Sequence, residues 1–360
     1  MRAAVLREVG DDKLEVRDDV TVGDPGPGEV VVRIVATGVC HSDLSVLDGT
    51  IPQPAPAVLG HEGAGEVVAV CPGVTNVQEG SHVIVAWIPP CGVCAACLRG
   101  QANLCVTVSM VAMTTPHFSL EGTPVYGMAG TGTFAEQLVL PYQSVIPIPD
   151  DVPFDVASLI GCGVMTGVGA AINAAKVEPG SSVVVFGCGG VGISVIQGAR
   201  IAGAAEIVAV DRVEGKLVDA KRFGATHAVK PDELAAASSE ITGGDGFDYA
   251  FEAIGNPTTI RAAYDNARRG GTAVIVGVGK AEQKIELNAF ELFYMEKTLK
   301  GTLYGSADVR RDFPRLIRLW KSGRLDLEGM ISRRIKISEV NEAFEAMKRG
   351  EVIRQVIEMA

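Results

Sequence analysis

Cys91, Cys94, Cys97 and Cys105 fall in the run CGVCAACLRGQANLC, a C-x2-C-x2-C-x7-C spacing that can bring four thiolates round one centre. Four soft sulfur donors closing a tetrahedron are what a structural zinc takes, with no position left for a substrate. Four of the eight cysteines crowd into fifteen positions, which favours the metal over chance disulfides or scattered buried thiols. Three further donors stand apart: Cys40 in GVCHSD, His61 in GHEGAG and Cys162 in GCGVMTG. Each lies close to glycine, where a strand can give way to a turn and turn its side chain to a cleft. Two thiolates and one imidazole leave zinc a fourth position for water or substrate. Taken singly, Cys162 reads as a core thiol and His61 as a turn residue; their joint context makes the site.

GCGGVG supplies Gly187, Gly189 and Gly192, with Gly190 and Val191 between them. In this arrangement the first glycine permits the tight turn, the second admits a pyrophosphate to the backbone, and the third lets helix and strand pack closely. The motif follows the apolar run SVVVF and precedes a helical stretch, and Asp211 closes the next strand nineteen residues after Gly192. An acid there accepts both ribose hydroxyls and repels a 2′-phosphate, favouring NAD; Arg212 beside it is the counter-signal, because a guanidinium takes a phosphate.

The elements that must position these residues change character along the chain. Up to about residue 160 the sequence reads as short strands punctuated by Gly and Pro: EVVVRIVATGVC (29–40), GAGEVVAV (63–70) and SHVIVAWI (81–88). From about 180, strand patterns alternate with helical ones, as at DYAFEAI (248–254) and GTAVIVGVG (271–279), which argues for a parallel, doubly wound sheet. RDFPRLIRLWKSG (311–323) and ISEVNEAFEAMKRG (337–350) read as amphipathic helices, and GEVIRQVIEMA returns to a strand that rejoins the first part of the chain. A length of 360 residues predicts two domains. A net charge of −11 argues against nucleic acid and acidic membranes as partners. The opening MRAAVLREVGDDKLEV has neither the apolar run of a signal peptide nor that of an anchor, so a cytoplasmic location is expected.

GHEGAGEV, the four-cysteine lobe, GCGVMTG and GCGGVG stand in the order and spacing of the zinc-dependent medium-chain alcohol dehydrogenases, which the chain resembles over essentially its full length. The resemblance implies a fold of class α/β: a GroES-like, β-rich catalytic domain over 1–163 and 306–360, carrying the zinc lobe 91–105, and a Rossmann coenzyme domain with a doubly wound parallel sheet over 164–305. It implies two zinc ions per chain, a catalytic one on Cys40, His61 and Cys162 and a structural one on Cys91, Cys94, Cys97 and Cys105, together with NAD.

By the same resemblance Ser42 takes the alcohol proton, Asp43 orients His61, and Glu62 is an acid able to approach the metal. His41 and Arg354 correspond to cations on the coenzyme pyrophosphate, Thr166 and Val191 to residues packing the nicotinamide, and Lys216 to one near the adenosine ribose. Ser45 stands where many members carry the histidine that ends the proton relay, so a different proton exit is expected. Ile51, Trp87, Met110, Phe134 and Val278 correspond to a broad apolar substrate channel.

The implied activity is NAD-dependent oxidation of a primary alcohol, apolar or aromatic, to the aldehyde. The alternative is a formaldehyde dehydrogenase acting on an S-hydroxymethyl adduct of mycothiol or glutathione. From other classes, a zinc-free quinone reductase or a non-catalytic nucleotide-binding protein would have no reason to carry seven correctly spaced ligands. Family assembly implies a homodimer, with a tetramer next, paired through the strand near 298–305.

Overall fold

Glu29–Val39 is the strand on which the first half of the protein is hung. The structure, a computed structural model, describes residues 1–359. Along EVVVRI buried positions alternate with accessible ones, as one solvated face demands; from Ala36 to Val39 every residue is buried. Three strands pair with it antiparallel: Glu62–Val70, Gln137–Pro141 and the terminal strand Arg354–Glu358. Register sets Gly38 opposite Glu62 and Val39 opposite Gln355. Cys40, Glu62 and Arg354, distant in sequence, therefore emerge at one end of one sheet. Ile331–Ile335, His82–Val85 and Val145–Pro147 complete it, and a second sheet built from Ala3–Leu6 and its neighbours closes a core around Leu6, Leu59, Val85 and Phe134.

The chain divides into two compact units. The first comprises 1–162, 308–323 and Leu327 onward; the second comprises Gly163–Ala307 and Arg324–Asp326. In the second, six parallel strands run in the order His227–Val229, Glu206–Val210, Ser182–Phe186, Phe247–Glu252, Ala267–Ile275 and Thr298–Gly301. Sequence order reverses at Ser182–Phe186, which makes the sheet doubly wound with its switch point beside that strand.

Two sequence expectations change. The β-rich reading of the first 160 residues omitted the helices His41–Leu47 and Thr107–Thr114, short elements whose apolar residues also satisfy a strand pattern. Cys162 was expected where a strand meets a turn; it lies inside a helical segment, Phe154–Ala175. That segment is apolar and long enough to span a membrane by composition, yet 83% of its apolar window is buried in the protein, so its hydrophobicity serves the core. Strand-like β-branched residues and repeated glycines disguise it. Within the segment, Ile160–Val164 forms a wide π turn, the kind of local expansion that re-aims a side chain.

Gly161 explains how this helix reaches the sheet. A Cβ there would stand 3.3 Å from Glu62 Cα and 3.3 Å from the Val85 carbonyl, so hydrogen is the only side chain that fits without movement. Gly161→Val is expected to push the π turn off the sheet at a cost of about 1–3 kcal/mol. Metal analysis of the purified variant should find close to one zinc per chain, with the four-cysteine lobe still loaded; two per chain would refute this role.

Candidate active site and metal centres

In the lobe, the sulfurs of Cys91, Cys94, Cys97 and Cys105 all lie within 4.8 Å of one another, and every one of the eight cysteines is free of disulfide bonding. Cys91 and Cys97 Sγ are 3.9 Å apart, close to the roughly 3.8 Å edge of a tetrahedron with metal–sulfur bonds of about 2.3 Å. Backbone amides already face these sulfurs. Cys91 Sγ accepts from Val93 N at 3.5 Å and Cys94 N at 3.2 Å, and Cys105 Sγ accepts from Cys91 N at 3.3 Å. The amides of Val93 and Cys94 draw the Cys91 thiol down to about 6, whereas burial pushes Cys97 up to about 12. A divalent metal held here would displace the protons of those sulfurs that remain thiols. Left-handed turns at Gly92 and Gly100 (φ +80° and +74°) fold the lobe back on itself.

The second donor group joins Cys40, His61, Glu62 and Cys162, all buried and all within 4.8 Å of one another. Cys40 ends the long strand and begins the helix His41–Leu47. Asp43, fully buried one turn on, does two things at once. Its Oδ2 accepts the Cys40 amide at 2.8 Å, closing the helix start, and its Oδ1 accepts His61 Nδ1 at 3.0 Å. With the proton held on Nδ1, the lone pair of Nε2 points at the donor group. Nε2 is buried and has no hydrogen-bond partner among the described residues, so this arrangement fits a metal and leaves the nitrogen unsatisfied without one.

Electrostatics agree. Burial alone would depress the His61 pKa, but the Asp43 carboxylate and the Cys40 sulfur lift it to about 10. Cys40 is held well below an ordinary thiol by its bond to Cys162 and by His61, against the cost of burial. Burial pushes Asp43 up, opposed by His61. Both shifts favour charge separation between imidazole and sulfur, the polarity that a divalent cation would satisfy in this donor group.

Glu62 pairs with Arg354, both buried, in a direct ion pair beside the metal donors. Gly38 makes room for it: a Cβ there would run into the Glu62 carboxylate and the Arg354 guanidinium. Sequence reading assigned these two residues to separate tasks; their coupling is a product of strand register alone. Trp87 stands edge-on to His61, with ring centroids 6.2 Å apart and planes at 88°. Ser42 is half-buried with Oγ 3.7 Å from Cys40 Sγ, and Ser45, 9% exposed, lies on the same helix three residues on. His41 is exposed at the helix start, Ile51 is half-buried, and Met110 is exposed on Thr107–Thr114. Phe134, expected along a channel, is fully buried in the core, with its ring against Gly60.

In the second unit GCGGVG joins Ser182–Phe186 to the helix Gly190–Ala202. Gly187 is left-handed (φ +93°), and a Cβ on Gly192 would strike the Gly187 carbonyl. Asp211 secures the turn: Oδ2 accepts Cys188 N at 2.8 Å and Oδ1 accepts Val213 N at 3.0 Å. Amides at the start of Gly190–Ala202 make this the end of the sheet suited to a phosphate group. Thr166, Val191 and Lys216 are half-buried, and Arg212 and Val278 are exposed.

The pattern for the alcohol dehydrogenase GroES-like domain matches residues 26–150, and that for zinc-binding dehydrogenases matches residues 190–322. The chain is 41% identical to the S-(hydroxymethyl)glutathione dehydrogenase of Paracoccus denitrificans, over 99% of each. Among solved structures it is similar to an alcohol dehydrogenase zinc-binding domain protein from Burkholderia ambifaria (TM-score 0.93, 34% identity, 100% of this chain and 98% of that one). It is similar also to the benzyl alcohol dehydrogenase of Acinetobacter calcoaceticus (TM-score 0.92, 33% identity, 100% and 99%). The chain belongs to the zinc-dependent medium-chain alcohol dehydrogenase family, with a GroES-like catalytic domain and a Rossmann-like coenzyme domain. It is an oxidoreductase of small molecules, with zinc at two sulfur-rich sites and NAD as cofactors.

Because Asp43 holds both Cys40 and His61, Asp43→Asn is expected to weaken the catalytic zinc about 10–100-fold while the lobe zinc is unaffected. Competition with a chromogenic chelator should resolve two release phases, of which the variant accelerates one.

Proposed function

We propose that the protein catalyses the reversible oxidation of primary alcohols to aldehydes, with hydride transfer to NAD. The observation that carries the reading is the buried His61 Nε2, aimed without a hydrogen-bond partner into a group of two cysteines and one acid. Three of these, Cys40, His61 and Cys162, would hold the metal with one position open. Zinc bound there supplies Lewis-acid polarisation of the alcohol oxygen, and NAD supplies the hydride acceptor.

The protein's own groups do the rest. Asp43 keeps the imidazole in the tautomer that presents Nε2. Ser42 is the hydroxyl that takes the alcohol proton, and Ser45 in place of a histidine sends that proton onward by a route other than an imidazole. Glu62, paired with Arg354, is the acid placed beside these donors. Asp211 favours NAD over NADP by charge. His41, Thr166, Val191 and Lys216 are the further coenzyme contacts we assign.

For the substrate, Trp87 beside His61 and the half-buried Ile51 favour a flat, apolar alcohol. Residues 100–175 contain no lysine or arginine to hold a glutamyl carboxylate. The second reading, a hydroxymethyl thiol adduct, is favoured by the 41% identity to a dehydrogenase of S-(hydroxymethyl)glutathione. Both are primary alcohols, so the same donor group serves either. A homodimer formed through Thr298–Gly301 is supported by that strand's place at the sheet edge and by the exposed Phe290, Phe293 and Tyr294 nearby in sequence. Eight cysteines without a disulfide suit a reducing cytoplasm.

NADH formation by zinc-replete enzyme should be measured with benzyl and linear primary alcohols beside formaldehyde plus mycothiol or glutathione. Turnover of free alcohols without gain from a thiol is the expected result, and activity only with an adduct would replace the apolar substrate by the thiol one. Ser42→Ala should lower kcat about 100-fold at unchanged zinc content. Equal kcat would remove Ser42 from the proton path.

A further inference from the structure

Ligands of doubly wound sheets bind outside the carboxyl ends of the strands, at the switch point. In the second unit the switch falls between Ser182–Phe186 and Phe247–Glu252, and Phe186, the last residue before GCGGVG, is in register with Glu252. An acid ending the strand FDYAFE would ordinarily face water. Glu252 is fully buried.

Its bonds run to three segments of chain. Oε1 accepts the amides of Ile254 (3.0 Å) and Gly255 (2.8 Å) and the hydroxyl of Thr259 (2.7 Å). Its carbonyl accepts the amides of Val276 (2.8 Å) and Gly277 (3.0 Å). Oε2 is buried and meets no donor among the described residues. Serine or asparagine could cap a loop without burying a carboxyl group. The loops that this carboxylate holds are the ones next to GCGGVG. Ile254 lies over Gly187, where a Cβ would stand 2.7 Å from Ile254 Cγ1, and Gly255 packs directly on the Val278 backbone.

We propose that Glu252 is a positioning residue for the coenzyme. It clamps the loops at 253–256 and 276–279 so that Ile254 closes over the glycine turn, which presets the coenzyme cleft and slows release of the reduced coenzyme. The proposal rests on the reading of GCGGVG as the coenzyme site. Glu252 belongs to neither donor group, so its effect is expected on coenzyme affinity.

The test is NADH titration of the holoenzyme by fluorescence, with stopped-flow release, for wild type, Glu252→Ala, Glu252→Gln and Thr259→Val. Gln keeps an acceptor for the three donors, and Val removes one donor at constant shape. The Kd for NADH should rise roughly tenfold in E252A and about threefold in E252Q and T259V, matched by faster release. Zinc content should change less than about twofold, because Glu252 is in neither donor group. If E252A does not fold, E252Q and T259V decide the matter. A lowered Tm with wild-type Kd in the folded variants would make Glu252 merely structural and overturn the proposal. Failure of the wild-type holoenzyme to bind NADH would instead overturn the coenzyme reading itself, and this proposal with it.

Discussion

The first unit depends on one carboxylate. Asp43 accepts the amide of Cys40 through one oxygen and the imidazole of His61 through the other, so the start of a helix and the orientation of a metal donor are a single constraint. A buried acid is expensive alone, and two short charge-assisted bonds are what make it tolerable. Around it the protein gathers two sulfurs, a second acid and an arginine with almost no solvent access. Such a group is stable only when its charges balance. The donor set is therefore one that suits a divalent cation.

Glycine does the complementary work, by absence. Gly38 leaves room for the ion pair of Glu62 with Arg354, and Gly161 lets the π turn bearing Cys162 touch the strand bearing Glu62. In the second unit Gly192 admits the Gly187 carbonyl, while Gly167 lets its helix settle on Val191 and Ser194. At Gly161, Gly167 and Gly192 a methyl group would separate two backbones now in contact, and at Gly38 it would displace the paired side chains. Close approach of main chains, rather than any added contact, is how both sites reach their dimensions.

Much of this was legible beforehand. The lobe could be read because its four ligands lie within fifteen residues, so that local chain geometry suffices to gather them. The glycine turn could be read because strand, turn and helix follow one another directly. The helix carrying Cys162 could not, because burial on all sides erases the amphipathic period that marks a surface helix. Phe134 is a similar case: an aromatic residue looks the same in a channel or in a core, and its full burial with the ring against Gly60 is seen only in the fold. Glu252 carried a weak signal, an acid inside the apolar run DYAFEAI, but nothing local indicates that its carboxylate faces inward.

Residue types and their spacing by themselves determined which atoms are available: seven sulfur and nitrogen donors, a glycine-rich turn between strand and helix, and an acid at the end of the next strand. Tertiary structure alone decided which of them meet. Cys40, His61 and Cys162 are separated by up to 122 residues, and only antiparallel register and a glycine contact bring them together. The same register placed Arg354 on Glu62, a pairing no motif contains. The physical reason is that donor chemistry belongs to the side chain, whereas the distance between side chains far apart in sequence is set by hydrogen-bond ladders and close packing, which exist only once the chain has folded.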